Sequence, residues 1–306
     1  MEYVSLHHHS TFSYGDAFGL PAEHAEYVAA AGMKALALTE HGNASSHVQL
    51  EKACNKFGIK PIFGVEAYVA PPKQPRKCHQ TVLAMDQVGL ANLNKMVTQS
   101  WHDFYRWPTV HLSYMEAFSD GLIVLSGCAD SSLACTLLGG KSYGPTRLEY
   151  STDDYRRALG LVEWYQGVFG DRYYLETQNF PELDRTCVLN VALERLSQDT
   201  GVNLVATHDV HIITPEQTEM RTVLHAANRG STVAQAEATW EYGIPSWIPT
   251  SDTEIHDRLV QTGLSQDAAA EAILNTGRIA ERCNVVLPKV EPIVYEPSER
   301  DWESWV

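Results

Sequence analysis

The sequence predicts an α/β barrel, and three observations carry that expectation. Short apolar runs alternate with helical patterns from one end of the chain to the other. The runs are apolar on both faces, as expected for strands of a parallel sheet covered by helices. Almost every run ends in His, Asp, Glu or Cys, and a barrel gathers its working residues at the carboxyl ends of its strands. With 306 residues, one large barrel accommodates this pattern better than an open sheet.

The elements follow in order. Tyr3-Val4-Ser5-Leu6 reads as a short strand. Pro21 near the first turn opens a helix that runs to about Ala31, before Gly32. Ala35-Leu36-Ala37-Leu38 is an apolar strand, and Asn43 or Ser45 caps a helix ending near Phe57-Gly58. Lys60 to Val69 and Thr81 to Ala84 read as strands, and Leu90 to about Phe104 as a helix. Leu122 to Leu125 is a strand followed by a helix from Ser131. Asp153–Val168, Tyr173–Glu176 and Pro181–Thr200 repeat the alternation. Val202 to Ala206 is the last buried strand, and the helices Asp252–Gln261 and Gln266–Cys283 close the pattern. Residues 1–287 are expected to form one domain, with 288–306, rich in Pro and Glu, an extended tail or linker.

Composition narrows the function classes. No run of about 18 apolar residues is present, and no basic segment precedes an apolar stretch at the N-terminus. The six cysteines show no paired spacing, so a reduced, cytoplasmic protein is expected. The formal net charge is −15, from 38 acidic and 23 basic residues. A chain that grips long nucleic acid by itself usually carries a basic stripe, and this one does not. The one loop both basic and Pro-rich holds Lys73, Arg76 and Lys77. It is the candidate guide for a phosphate-bearing substrate, with a solvated loop the plain alternative. There is no Walker loop, GxGxxG fingerprint or GxSxG elbow.

The strand ends carry the chemistry. His7 and His9 sit two apart, so a strand places both imidazoles on one face and His8 on the other. Asp16 follows seven residues after His9. Asp209 and His211 repeat the two-residue spacing after Leu204-Val205-Ala206-Thr207. A carboxylate and an imidazole leaving a buried strand on one side are hard to explain as core, and a helix cap or turn Asp with a surface His is the lesser alternative. A lone carboxylate at Glu66 would be costly if unpaired, and a bridging role between cations would resolve the cost. His41 follows Glu40, with Gly42 permitting a tight turn. Taken singly, Glu66 and His41 stand equally open to a structural role. Cys128, after Ser126-Gly127, is by itself better read as a small buried hydrophobe. His79 adjoins Cys78, and Cys54, Cys78, Cys135, Cys187 and Cys283 read as core. His24, His47, His102, His111, His225 and His256 lack partner spacing and read as surface or capping residues. Gathered at one barrel end, nine such ligand-type side chains would hold two or three divalent metals for hydrolysis of a phosphate ester. Mixed N, O and single-S ligation suits Zn²⁺, Mn²⁺ or Fe²⁺ better than Mg²⁺.

Five ordered segments carry a family resemblance: Leu6 to Asp16, Thr39 to Asn43, Gly58 to Val69, Gly121 to Cys128 and Val205 to His211. Together they resemble the polymerase-and-histidinol-phosphatase (PHP) domain of C-family bacterial replicative DNA polymerases, and Ile279 to Asn284 resembles its end. The resemblance implies a distorted (β/α)7 barrel with a multinuclear metal site at the carboxyl end of its strands. It implies one metal on His7, His9, Glu66 and Asp209, a second on Glu66, His79 and Cys128, and a third on Asp16, His41 and His211. Of these, Asp209, Glu66, His7 and His9 would be catalytic. All nine positions are present, while Glu40 stands where Asp is common and His208 where Asn is common. Residues 215–251 match poorly. The expected activity is metal-dependent phosphoesterase, foremost a proofreading 3′–5′ DNA exonuclease. The rivals are a small-molecule phosphatase of histidinol-phosphate type and a non-catalytic structural domain. Nothing resembles the paired-aspartate palm of the polymerase, so a polymerase core in cis or in trans, as in a phage or split system, is the expected partner. Isolated DNA binding is expected to be weak.

Overall fold

The computed structural model describes residues 1–70, 78–140, 143–239 and 244–289. Lys73, Arg76 and Lys77, and most of the expected tail, lie outside the described residues. The strands are β1 (Ala35–Leu38), β2 (Lys60–Val69), β3 (Cys78–Ala84), β4 (Leu122–Leu125), β5 (Tyr173–Gln178) and β6 (Leu204–Thr207). They form one curled sheet in the order of the chain. Helices pack outside it: α1 (Pro21–Ala30), α2 (His47–Phe57), α3 (Gln87–His102), α4 (Leu112–Ala117), α5 (Ser132–Leu138), α6 (Thr152–Phe169) and α7 (Asp184–Thr200). After β6 come α8 (Thr218–Arg229), α9 (Val233–Thr239), α10 (Asp252–Gln261) and α11 (Gln266–Arg282). The cap of α2 is Ser46 rather than Asn43 or Ser45. Among the described residues, no helix is long and apolar enough to cross a membrane.

The expected all-parallel sheet is corrected at one strand. β1 runs parallel to β2, and β4, β5 and β6 run parallel to one another, but β3 is antiparallel to both its neighbours. A parallel partner needs a crossover of a dozen or more residues, usually helical. Only residues 70–77 separate β2 from β3, so the chain turns straight back. The amino end of β3 therefore lies at the carboxyl ends of the others.

A second correction concerns the first expected strand. Instead of a regular strand, Ser5 bridges Leu36 and His8 bridges Val210, both in parallel sense. The Thr39 hydroxyl takes the amide of His8 at 3.0 Å, a bond that a backbone ladder would otherwise make. The segment still ties the two outer strands together. Ala37 N donates to Ser5 O at 2.9 Å and His9 N to Val210 O at 2.8 Å. Inside the curl, Val4, Leu6, Ala37, Ile62, Leu83, Ile123, Tyr174 and Val205 meet in one buried cluster. That cluster draws on every strand and on the N-terminal segment, and Ile279, Ala280 and Cys283 from the end of the chain join it. Side chains on the outer face of the sheet, such as Leu36, Phe63, Val82 and Leu175, form the larger core beneath the helices.

Helix α8 falls outside the expected elements although Met220, Val223, Leu224 and Ala227 recur at helical spacing, and its packing shows which face that pattern would have misplaced. It buries Thr222, His225 and Ala226 and leaves Met220 and Val223 half exposed. Its polar face is turned inward, so apolar periodicity gives the wrong signal.

Candidate metal centre

All nine candidate side chains converge on one end of the curled sheet. His7 and His9 come from the N-terminal segment, Asp16 from the loop behind it, and His41 from the turn after β1. Glu66 lies in β2, His79 at the amino end of β3, Cys128 after β4, and Asp209 and His211 after β6. Strand register sets several of these positions. Glu66 pairs with Thr81 and Tyr68 with His79 across β2 and β3, while His41 bridges Glu66. His211 N donates to Ser246 O at 2.8 Å, which fixes the segment beyond β6. Asp209 holds φ at +46°, a strained setting that Asp tolerates better than most residues. Gly127 is required beside Cys128: its φ is +86°, and a Cβ there would sit 2.4 Å from the His79 carbonyl.

The distances around His7 and His9 fit metal ligation, while His79 Nδ1 and Glu66 Oε1 stand at hydrogen-bond range, 2.8 Å. His7 Nε2 lies 3.2 Å from Glu66 Oε1 and 3.3 Å from Asp209 Oδ1. His9 Nε2 lies 3.4 Å from Asp209 Oδ1 and 3.6 Å from Glu66 Oε2. A tetrahedron with bonds of about 2.0–2.2 Å has edges of about 3.3–3.6 Å. Cys128 Sγ stands 3.8 Å from Glu66 Oε1 and 3.7 Å from His79 Nδ1. Asp16 Oδ2 is 2.9 Å from His41 Nε2 and 3.6 Å from His211 Nε2. His9 also stands within ligand range of His41 and His211, so it joins two of the implied groups. Buried atoms without a hydrogen-bond partner gather here: His7 Nε2, His9 Nε2, His41 Nδ1, His79 Nε2, Glu66 Oε2 and Asp209 Oδ1. His41 Nδ1 approaches Glu66 Oε2 to 2.6 Å, off the hydrogen-bond direction. Orphaned buried polar atoms are costly, and a shared cation would relieve these together.

The outer contacts set which imidazole nitrogen is free. His7 Nδ1 donates to Glu176 Oε1 at 2.6 Å, which makes Nε2 the nitrogen that faces the pocket. His9 Nδ1 donates to Ser13 Oγ at 2.8 Å, and Ser13 Oγ donates to Glu40 Oε2 at 2.5 Å. His211 Nδ1 donates to the Asp209 carbonyl at 2.8 Å. A carboxylate or carbonyl behind a ligating His is the usual arrangement at a metal.

Sequence reasoning missed Glu176. It is buried in β5 and also accepts from Thr207 Oγ1 at 2.7 Å, Thr81 Oγ1 at 3.1 Å and Gly127 N at 3.1 Å. The signal was a carboxylate inside Tyr-Tyr-Leu-Glu, an otherwise apolar strand. Arg221 and His225, on the unexpected α8, were missed too. Arg221 Nε donates to Asp16 O at 3.0 Å, and His225 Nε2 contacts Asp16 Oδ1.

Charge is strongly coupled across the pocket. Burial opposes protonation of His7, but Asp209, Glu176 and Glu66 together outweigh it and raise its pKa. Burial likewise opposes charge on His41, yet Glu66 and Asp16 hold its pKa up at about 10. His9 goes the other way, lowered by burial and then by His41 and His211. Glu66, although buried, is held well below the carboxylate range by His79, His7 and His41. Burial, then Glu66 and Asp209, push the Cys128 thiol up. Each of these pulls is what crowded ligand atoms exert on one another without a cation between them.

Other histidines correct the sequence reading. His8 does face away from His7 and His9, but it is buried: its Nδ1 meets Ser5 Oγ at 2.9 Å and its Nε2 meets His24 Nδ1 at 2.7 Å. His24, His47 and His225 are buried rather than at the surface. Their helices turn these side chains inward, against Phe18 O, Gly64 O and Asp16 respectively. The six cysteines form no disulfide.

Comparison with known proteins places the chain in a family. The PHP domain family matches residues 5–180. The DNA polymerase III subunit alpha of Borreliella burgdorferi is 28% identical over 292 residues, covering 92% of this chain and 24% of that protein. That of Treponema pallidum is 29% identical over 309 residues, covering 96% and 24%. That of Aquifex aeolicus is 31% identical over 249 residues, covering 76% and 20%. The chain thus spans about a quarter of the length of the curated relatives it matches.

Proposed function

The chain belongs to the PHP domain family, and from that membership and the strand-end pocket we propose a metal-dependent phosphoesterase that trims DNA 3′ ends beside a C-family replicative polymerase. The observation that carries this reading is the set of buried, mutually facing, unpartnered atoms on His7, His9, Glu66 and Asp209. Such atoms are costly when buried together unpaired, and a shared cation would satisfy them at once. In this reading the N-terminal segment closes the curled sheet into a distorted seven-stranded barrel, and two to three divalent ions, of Zn²⁺, Mn²⁺ or Fe²⁺ type, sit at its mouth.

His7, His9, Glu66 and Asp209 would hold one ion, Glu66, His79 and Cys128 another, and Asp16, His41 and His211 a third. When bound, such ions supply an activated water and polarise the scissile phosphate. The protein's own part is orientation. Glu176 and the Ser13–Glu40 pair fix the His7 and His9 tautomers, while Arg221 and His225 hold Asp16 in place. The loop with Lys73, Arg76 and Lys77 precedes His79 in the chain and would guide a 3′ end. Polymerase relatives support a polymerase core as partner, in cis or in trans, and such a partner would supply most of the DNA affinity.

The net charge of −15 favours a second reading, a phosphatase for small phosphomonoesters. Elemental analysis, with 3′-labelled DNA digested beside a phosphomonoester, each with and without chelator, separates them. We expect about two to three equivalents of transition metal and chelator-sensitive release of mononucleotides from the 3′ end. Less than one equivalent, with no uptake of added Mn²⁺ or Zn²⁺, would leave a structural domain instead.

A further inference from the structure

Beside the pocket lies a group of aromatic rings that the hydrolytic site does not use. Helix α3 ends at His102, and the chain then runs along the end of β2: Val110 N donates to Tyr68 O at 2.8 Å and Ala70 N to Val110 O at 3.1 Å. This puts Trp101, Phe104, Tyr105 and Arg106 at the same end of the sheet as the candidate ligands. Trp101 is fastened there, its indole N–H donating to the carbonyl of Gly42 at 2.9 Å, one residue after His41. Gly42 has φ +63°, and a Cβ on it would stand 2.8 Å from Pro108 and 3.3 Å from the Tyr68 ring. The turn, the ring of Tyr68 and the aromatic segment are thus packed tightly, and Tyr68 in turn stacks on His41.

The rings themselves are left open. Trp101 and Phe104 are stacked, with centroids 5.7 Å apart and planes 22° apart. They are 51% and 52% exposed. Tyr105 is 42% exposed, with the Arg106 guanidinium 6.0 Å from its ring. Arg106 holds φ at +68°, a strained value for a side chain of its size, within a turn closed by the Tyr105–Trp107 bridge. The acid in this segment, Asp103, is engaged by the Tyr114 hydroxyl and lies 3.6 Å from His111 Nε2. What the surface presents is therefore aromatic faces and a guanidinium. Aliphatic protein surface would make no use of the cation, whereas unpaired bases and their phosphates use both.

From this juxtaposition we infer that Trp101 and Phe104 form a stacking platform for the unpaired bases of a single-stranded nucleic acid end whose phosphate enters the adjacent pocket. The inference rests on the phosphoesterase reading for the direction of the strand and adds to it the substrate class, single-stranded rather than duplex. It also resolves the charge problem. A chain at −15 gains little from counterion release, but base stacking depends far less on net charge.

The test measures binding without turnover. A fluorescein-labelled single-stranded oligo(dT) is titrated with the full chain in EDTA and followed by anisotropy. Trp101→Ala with Phe104→Ala should raise the dissociation constant at least about tenfold, the scale of a single lost base stack. Trp101→Phe, which loses the N–H but keeps a ring, should stay within about threefold. Phe104→Ala alone, which keeps the Trp101 anchor, guards against a fold effect and should still weaken binding. Blunt duplex should bind more weakly than the single strand. An unchanged dissociation constant in the double variant would overturn the platform and leave the rings as a surface for a protein partner. Hydrolysis of bis(p-nitrophenyl) phosphate by the metal-loaded parent is scored separately. Its failure, with the oligonucleotide result as expected, would remove the phosphoesterase reading and leave the platform standing.

Discussion

The strand-end pocket and the buried network behind it are both lined with histidine, yet they treat that side chain in opposite ways. In the network, His8 has Ser5 on one nitrogen and His24 on the other, and His24 Nε2 goes on to the Phe18 carbonyl. Both rings are fully partnered by protein atoms. In the pocket, His7 and His9 each have one nitrogen held from behind, and the other is left without a partner. His7, His8 and His9 are consecutive, so residue type and burial cannot explain the difference. The alternation of the extended chain does. A buried histidine with both nitrogens satisfied is architecture, and one with a single orphaned nitrogen aimed at other orphans is poised for a ligand.

The largest expected effect tests the pocket side of this contrast. Asp209→Asn keeps the volume, and Asn tolerates the left-handed backbone at φ +46° as Asp does. It removes the charge facing His7 and His9. Phosphoesterase activity should fall at least about 1,000-fold, roughly 4 kcal/mol in barrier, with the thermal midpoint of the metal-free protein little changed. Activity within about tenfold of the parent would place Asp209 outside the reacting centre.

The network side predicts a pH effect of the next size. Burial lowers the pKa of His24 from 6.5 to about 4. The unfolded chain therefore binds a proton there at a higher pH than the folded one. The stability from neutral His24 is fully present above about pH 6.5 and is lost as pH falls toward 4, on the order of 3 kcal/mol. Urea unfolding in EDTA at pH 7 and pH 4.5 should show this loss in the parent and a smaller one in His24→Gln. Equal losses would mean that the network does not hold His24 neutral.

The smallest effect sharpens the boundary between the two regions. Glu176 backs His7 and also accepts from Thr207, Thr81 and Gly127 N, so the near-isosteric Glu176→Gln keeps the volume while loosening control of the tautomer. Metal affinity, read by competition with a chromogenic chelator, should drop about 10- to 100-fold. An unchanged affinity would make Glu176 a core hydrogen-bonding residue and nothing more.

Much of the fold was legible because its elements are locally marked. β2 and α10 run over Lys60–Val69 and Asp252–Gln261, the bounds read from the sequence. What stayed illegible was set by distant partners. The reversal of β3 depends on a connection too short for a crossover, and the irregular N-terminal segment on a hydroxyl from Thr39. In the pocket, His7 with His9 and Asp209 with His211 announced themselves through spacing, and the family resemblance added the rest of the nine. Glu176 did not, since a single carboxylate in a strand has no spacing to read. Arg221 and His225 sit on a helix whose buried face is polar, so no apolar period pointed to them.

The stitch between the first residues and the segment after β6 also orders events in time. His9 and Val210 are joined by a backbone hydrogen bond although some two hundred positions separate them. Closing so long a loop costs about 5 kcal/mol of chain entropy, to be met by contacts that exist only once β6 has been added. On a ribosome, His7 and His9 emerge well before Asp209 and His211 and wait for them. The pocket is therefore a late product of folding, since its two halves meet only after β6 has joined the sheet.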